Sequence, residues 1–265
     1  NTDTQGVQKL SFLSRDLYHV SSPCPGHDVN QDSSAIIELG ENLGFLIVAD
    51  GMGGYERGEK ASKMVIDILE AKLKAVGAKQ DSYSQHILDA LEQAHQEIKK
   101  AKFQGGTTVS ICEIHGDSLR FYNIGDSFSM LLGARGLSKY RTIDDSITGY
   151  GIESGLLSEE KALVHEEGHI VTNALGLDDF RVEVSCRLTP AKNDLIFMAS
   201  DGVSANLTNE KVIETVASGP MEEKLPTLFQ KTKSIMEDEE SKVGSPDDTT
   251  CFLFSFRETA APSSA

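Results

Sequence analysis

LGFLIVA-DGMGG, from Leu43 to Gly54, carries seven apolar or glycine residues straight into an aspartate and a glycine-rich turn. Rich in aliphatic and β-branched residues, Leu43–Ala49 reads as a strand. A strand end projects the Asp50 carboxylate from a rigid element, and Gly51 lets the backbone turn so that its carbonyl can face the same point. The same grammar returns after Leu195–Ala199, where Ser200-Asp201-Gly202 follows. Several carboxylates and a carbonyl make an oxygen-only ligand set of the kind Mg²⁺ or Mn²⁺ prefers.

Working outward, Thr107–Ile114, Leu119–Ile124, Phe180–Leu188 and Thr249–Ser255 read as strands on the same grounds. Helical spacing appears at Ala61, Val65, Ile68 and Leu69. It appears again from Asp81 to about Phe103, where Ile87, Leu91, Ala94 and Ile98 share one face. Two more helices are expected over Thr208–Ala217, with Thr208 as the cap, and Met221–Glu239. Helices in consecutive pairs between runs of strands point to an α+β fold with antiparallel sheets, not a βαβ repeat. Thr142–Thr172 breaks the strand pattern and is read equally as a functional loop or lid and as plain connection. One domain over residues 1–257 is expected, with a disordered tail over 258–265.

With 265 residues, 39% of them apolar, the chain can bury a sizeable core. A net charge of −16 excludes a nucleic-acid partner, which needs a basic surface. It does not exclude a phosphorylated substrate, because bound cations reverse the local sign. Cys24, Cys112, Cys186 and Cys251 are scattered with no CxxC pair. Buried free thiols in a reducing, cytoplasmic setting are the expectation. No apolar run approaches the roughly 20 residues of a membrane span, and the polar start at Asn1–Gln8 lacks an apolar signal region.

Acidic motifs flank the strands at five places: Asn30-Gln31-Asp32, Asp50-Gly51, Gly125-Asp126-Ser127, Ser200-Asp201-Gly202 and Asp247-Asp248-Thr249-Thr250. One Asp-Gly at a strand end is ordinarily a turn; five such motifs in one chain favour a metal site. No GxSxG elbow surrounds Ser22, Ser127 or Ser200, and Asn30 stands where a CxxxxxR thiol phosphatase starting at Cys24 would need arginine. His165 and His169 read as surface residues of the Thr142–Thr172 segment, and His86, His95 and His115 as structural.

These motifs, in this order, resemble the metal-dependent protein phosphatases of type 2C, the PPM family, in a bacterial-like variant. The resemblance runs from about Leu17 to Phe256 and also takes in Gly58-Glu59-Lys60-Ala61-Ser62, Gly106-Thr107-Thr108 and Asn173-Ala174-Leu175-Gly176. It implies a central β-sandwich of two antiparallel sheets flanked by pairs of helices, in four layers αββα, with residues 142–172 as a flap. It implies that Asp50 bridges two Mn²⁺ or Mg²⁺ ions, that the Gly51 carbonyl binds one, and that Asp201 and Asp247 complete the other. Asp32 would orient the metal-bound water, either as a metal ligand itself or from just behind the ligands, and Asp126 falls where some members hold a third ion. The reaction implied is hydrolysis of phosphoserine or phosphothreonine in proteins by a hydroxide bridging the two metals, opposing a Ser/Thr kinase or acting on its targets. A cytoplasmic monomer, away from membranes, is expected.

The departures are specific. His27 stands where the family usually has the arginine that clasps phosphate and is expected to face the phosphate in its place, as a catalytic residue, and Phe128 replaces the arginine common after Gly-Asp-Ser. Met52 follows the Asp-Gly as in bacterial members, and Gln31 stands where many members have glutamate. The altered clamp leaves open a pseudophosphatase that binds phosphoproteins without turnover. A hydrolase of small phosphate esters is the third reading.

Overall fold

The computed structural model describes residues 4–53, 56–101, 105–238 and 243–257. In chain order the strands before the first helix are β1 (Thr4–Phe12), β2 (Arg15–Ser22), β3 (Ser33–Gly40), β4 (Leu43–Ala49) and β5 (Gly51–Met52). Helices α1 (Glu56–Val76) and α2 (Ser84–Ala101) follow, then β6 (Gly106–Thr107), β7 (Val109–His115), β8 (Ser118–Ile124), β9 (Phe128–Leu132) and β10 (Ser138–Arg141). The second half holds α3 (Ile147–Glu153), α4 (Glu159–Ala162), β11 (Glu183–Val184), β12 (Leu195–Ala199), α5 (Asp201–Ser204), α6 (Asn209–Ala217), α7 (Met221–Met236) and β13 (Thr249–Ser255).

Two antiparallel sheets stack face to face, one in the order β1-β2-β13-β12-β9-β10 and one in the order β11-β8-β7-β4-β3. β4 and β12 carry no polar side chain because both of their faces are covered. Leu46 and Val48 of β4 meet Ile196 and Met198 of β12 and Phe252 and Phe254 of β13 between the sheets. The alternate residues Phe45, Ile47 and Ala49 pack on α1 and α2. Phe197, Ala199, Cys251 and Leu253 pack against α6 and α7 on the opposite side. This is the α+β sandwich in four layers that the sequence implies.

Three expected strands, Leu43–Ala49, Leu195–Ala199 and Thr249–Ser255, coincide with β4, β12 and β13. Thr208 caps α6 as expected, its side chain accepting from the Lys211 N–H. The expected strand Phe180–Leu188 shrinks to the two residues of β11 with an isolated bridge at Leu188. There the Arg181 backbone exchanges its hydrogen bonds with the Asn173 side chain, so no ladder forms. Residues 142–172 hold α3 and α4. Three of the four cysteines are buried free thiols, whereas Cys186 is exposed, contrary to expectation. The expected tail over 258–265 lies outside the described residues. Among the described residues no helix is long and apolar enough to cross a membrane.

Strand ends converge at one edge of the sandwich: Ser33 pairs with Ala49, Val109 with Ile124, and Ala199 with both Phe128 and Cys251. Helix α1 closes onto this edge through glycines. A Cβ on Gly51 would run into the Gly58 carbonyl, and one on Gly58 into the Gly51 backbone and Gln31 Oε1. Alanine is otherwise favoured over glycine inside a helix by about 1 kcal/mol, so the sign of Gly58→Ala isolates the clash. Overpacking against backbone should lower Tm by roughly 2–12 °C; a thermal melt showing an unchanged or raised Tm would refute the close approach.

Candidate metal centre

Asp50 leaves the end of β4 with its backbone pinned on both sides. Its carbonyl accepts from the Thr108 N–H at 2.9 Å and the Thr107 hydroxyl at 2.7 Å, and its own N–H donates to Thr108 Oγ1 at 3.3 Å. Asp126 follows β8 through Gly125, whose φ of +93° is one that L side chains rarely adopt. Asp201 opens α5 directly after Ser200. One carboxylate oxygen from each of these three aspartates lies within 4.8 Å of the others.

Asp32 is buried, and its Oδ2 accepts from the Ser200 hydroxyl at 2.7 Å. Ser200 Oγ in turn accepts from the Thr250 N–H at 3.0 Å, so Asp32 is tied through Ser200 to β13 of the opposite sheet. Asp247, half-buried, accepts from the Asp248 N–H at 2.8 Å. Asp248 staples the corner: one oxygen takes the Cys24 N–H and the other the Gln31 N–H, at 2.7 and 2.6 Å.

Burial, and then the charge of Asp201, hold the Asp50 and Asp126 carboxyls well above the ordinary carboxylate range. Burial followed by neighbouring aspartates pushes Asp32 up to about 7 and Asp247 up to about 8. Asp32 Oδ1, Asp126 Oδ1 and Asp201 Oδ1 are shut off from solvent, with no hydrogen-bond partner. Two of these donorless oxygens belong to Asp126 and Asp201, which meet Asp50 within 4.8 Å, whereas Asp32 and Asp247 stand outside that trio; such an oxygen set fits divalent cations with hard oxygen preferences. Cys24 is no thiolate ligand: burial, then Asp247 and Asp248, push its thiol up to about 11.

The family model for protein phosphatase 2C matches residues 26–242. The chain belongs to that family. It is 28% identical over 218 residues to the serine/threonine phosphatase stp of Listeria monocytogenes, covering 77% of this chain and 84% of the relative. The serine/threonine phosphatase of S. agalactiae superposes with a TM-score of 0.75 at 21% identity, covering 90% of this chain and 98% of that one. The catalytic domain of the phosphatase PstP, solved with two manganese ions, superposes at 0.68 with 23% identity, covering 90% and 96%. At those identities the two structures share the fold.

Beside the aspartates of this phosphatase 2C chain lies a cavity of about 310 Å³ lined by Asp126, Arg141, Asp144, Asp201 and Asp247. His165 and His169, both exposed, stand at its rim. His27 is elsewhere: it is exposed on the Pro23–Gly26 turn, its N–H donating to the Cys24 carbonyl, and it lines a separate hollow with Phe229, Lys233 and Met236. Three residues escaped the sequence reading. Arg141 and Asp144 line the cavity. Asp145, buried, receives Arg181, Asn173 and Tyr150 and pairs with Gly125, tying residues 142–172 to the turn that carries Asp126. Only their lack of a recognisable motif hid them.

Without cations, the folded protein holds protons on Asp32 and Asp247 that an unfolded chain releases near pH 4. Raised carboxyls therefore stabilise the fold at low pH, and that contribution is lost as pH rises through about 7 and about 8. Tm measured in chelator should fall between about pH 5 and 8, while the gain from added Mn²⁺ should grow over the same range, because ligands must be deprotonated. A chelator-treated protein that becomes more stable with rising pH would contradict the carboxylate cluster.

Proposed function

We propose that this chain hydrolyses phosphoserine and phosphothreonine in proteins, with two divalent cations held by Asp50, the Gly51 carbonyl, Asp201 and Asp247. That it is a protein serine/threonine phosphatase follows from its family. The observation that carries the finer reading is the meeting of the Asp50, Asp126 and Asp201 carboxylates within 4.8 Å, with buried, partnerless oxygens beside them. When bound, a pair of cations would supply Lewis acidity toward the phosphate ester and make water acidic enough to ionise near neutral pH.

The chain's own residues do the rest. Thr107 and Thr108 hold the Asp50 backbone, so the strand end that carries its carboxylate is in place before a cation binds. Ser200 fixes Asp32 Oδ2, and in this reading the partnerless Oδ1 accepts a proton from the attacking water. Asp126 offers a position for a third cation. The reading takes 1–257 as one phosphatase domain with 142–172 as its flap, and its substrates as products of a Ser/Thr kinase.

Turnover of a phosphopeptide and of p-nitrophenyl phosphate, with Mn²⁺, Mg²⁺ or chelator, tests this. Activity should need the cation, and Asp50→Asn or Asp201→Asn should lower kcat on the order of 10³-fold. Cation-independent turnover, or full activity in either variant, would sink the reading. Phosphopeptide binding without turnover would identify a pseudophosphatase, and turnover of the small ester alone a small-ester hydrolase.

A further inference from the structure

The two positions where arginines would be expected offer the site no fork of fixed charge. His27 faces another hollow, and the Phe128 ring is fully buried in the apolar cluster beneath α6 and α7. The fold restores a guanidinium by another route. Arg141 ends β10, opposite Met130 of β9, and its Cζ stands 5.0 Å over the ring of Phe128. The residue that replaces one arginine thus forms the platform for a different one. Phe128 lies two positions beyond Asp126, and Arg141 lines the same cavity as Asp126, Asp144, Asp201 and Asp247.

This guanidinium is uncommitted. Its Nε is shut off from solvent and has no partner, and Nη1 reaches only the Thr142 carbonyl, at 3.4 Å. The acidic groups that act on it are Asp144, Glu159, Glu153 and Glu183. Three of them are engaged elsewhere. Asp144 accepts from the Ser146 N–H, Glu159 from the Asn209 N–H and side-chain amide, and Glu183 from the Tyr140 hydroxyl and the Ile143 N–H. Among the described residues no carboxylate closes an ion pair with Arg141. A residue that merely pinned the flap would spend its donors on these acids. A buried, unpaired donor is costly, and a planar fork of five N–H groups matches a phosphate bidentately.

We propose that Arg141 is the substrate-binding arginine of this site, donating to the phosphate of the phosphoprotein ester and of the released product in place of His27. The proposal rests on the phosphatase reading above. It is tested on the full chain loaded with Mn²⁺, by calorimetric titration with inorganic phosphate and by phosphopeptide kinetics, for the wild type, Arg141→Leu, Arg141→Lys and His27→Ala. Arg141→Leu should weaken phosphate binding about tenfold or more, the value of one charge-assisted hydrogen bond or better. The phosphopeptide KM should rise by a similar factor while kcat falls less. Arg141→Lys, which keeps the charge and loses the fork, should fall between, and His27→Ala should match the wild type. Phosphate affinity unchanged in Arg141→Leu, with only Tm or kcat lowered, would show a flap pin and overturn the proposal, as would a loss confined to His27→Ala. Should Arg141→Leu not fold, unaltered phosphate affinity and KM in Arg141→Lys would overturn it equally. If the wild type turns over no phosphopeptide, the phosphatase reading fails, and the phosphate titration still decides the role of Arg141.

Discussion

The carboxylates of Asp50, Asp126 and Asp201 approach within 4.8 Å in a partly buried corner of the sandwich. At that spacing, and at an effective dielectric of about 20, each like-charged pair repels by about 3 kcal/mol or more. Three such pairs approach the whole stability of an ordinary domain, about 5–15 kcal/mol. The corner therefore holds protons or holds cations, and the rest of the molecule is arranged to keep the groups there in spite of the repulsion. Thr107 and Thr108 restrain Asp50, Ser200 restrains Asp32, and Asp248 staples the loops that carry Asp32 and Asp247.

That arrangement is possible because the sheets are covered on both faces. β4 and β12 belong to different sheets, yet both end at the same edge, and each is held by alternating side chains against its partner sheet and against helices. A side chain at such a strand end inherits the rigidity of two packed layers. Preorganisation of this kind separates a ligand set from a surface patch of acids.

The same double burial decided what was legible beforehand. β4 and β12 read correctly to the residue because a strand buried on both faces is an unbroken apolar run, and β13 did so because β-branched threonines lead into the apolar Cys251–Phe254. β2 and β3 went unread because polar residues, among them His19, Ser33 and Ser34, interrupt them; His19 and Ser34 meet across the two sheets at 3.0 Å, a contact invisible in one dimension. The site aspartates were legible because each sits in a motif at the edge of a strand. Arg141 was not, since β10 reads Ser-Lys-Tyr-Arg with no apolar signal, and its contact with Phe128 joins positions on different strands. Phe180–Leu188 misled in the other direction: strand-like composition lost to the side chain of Asn173, which claims the backbone of Arg181.

Asp145 and Thr172 meet where the segment between them leaves and rejoins the body. The Thr172 N–H and hydroxyl both donate to the Asp145 carbonyl, and Ser146 bridges to Val171. An excursion whose two ends are clasped together behaves as a cassette. Its length and composition can drift at little entropic cost to closure, which grows only slowly with loop length, and without disturbing the turn at Gly125. The surface that this segment presents beside the cavity can thus be altered while its ends stay clasped at Asp145 and Thr172.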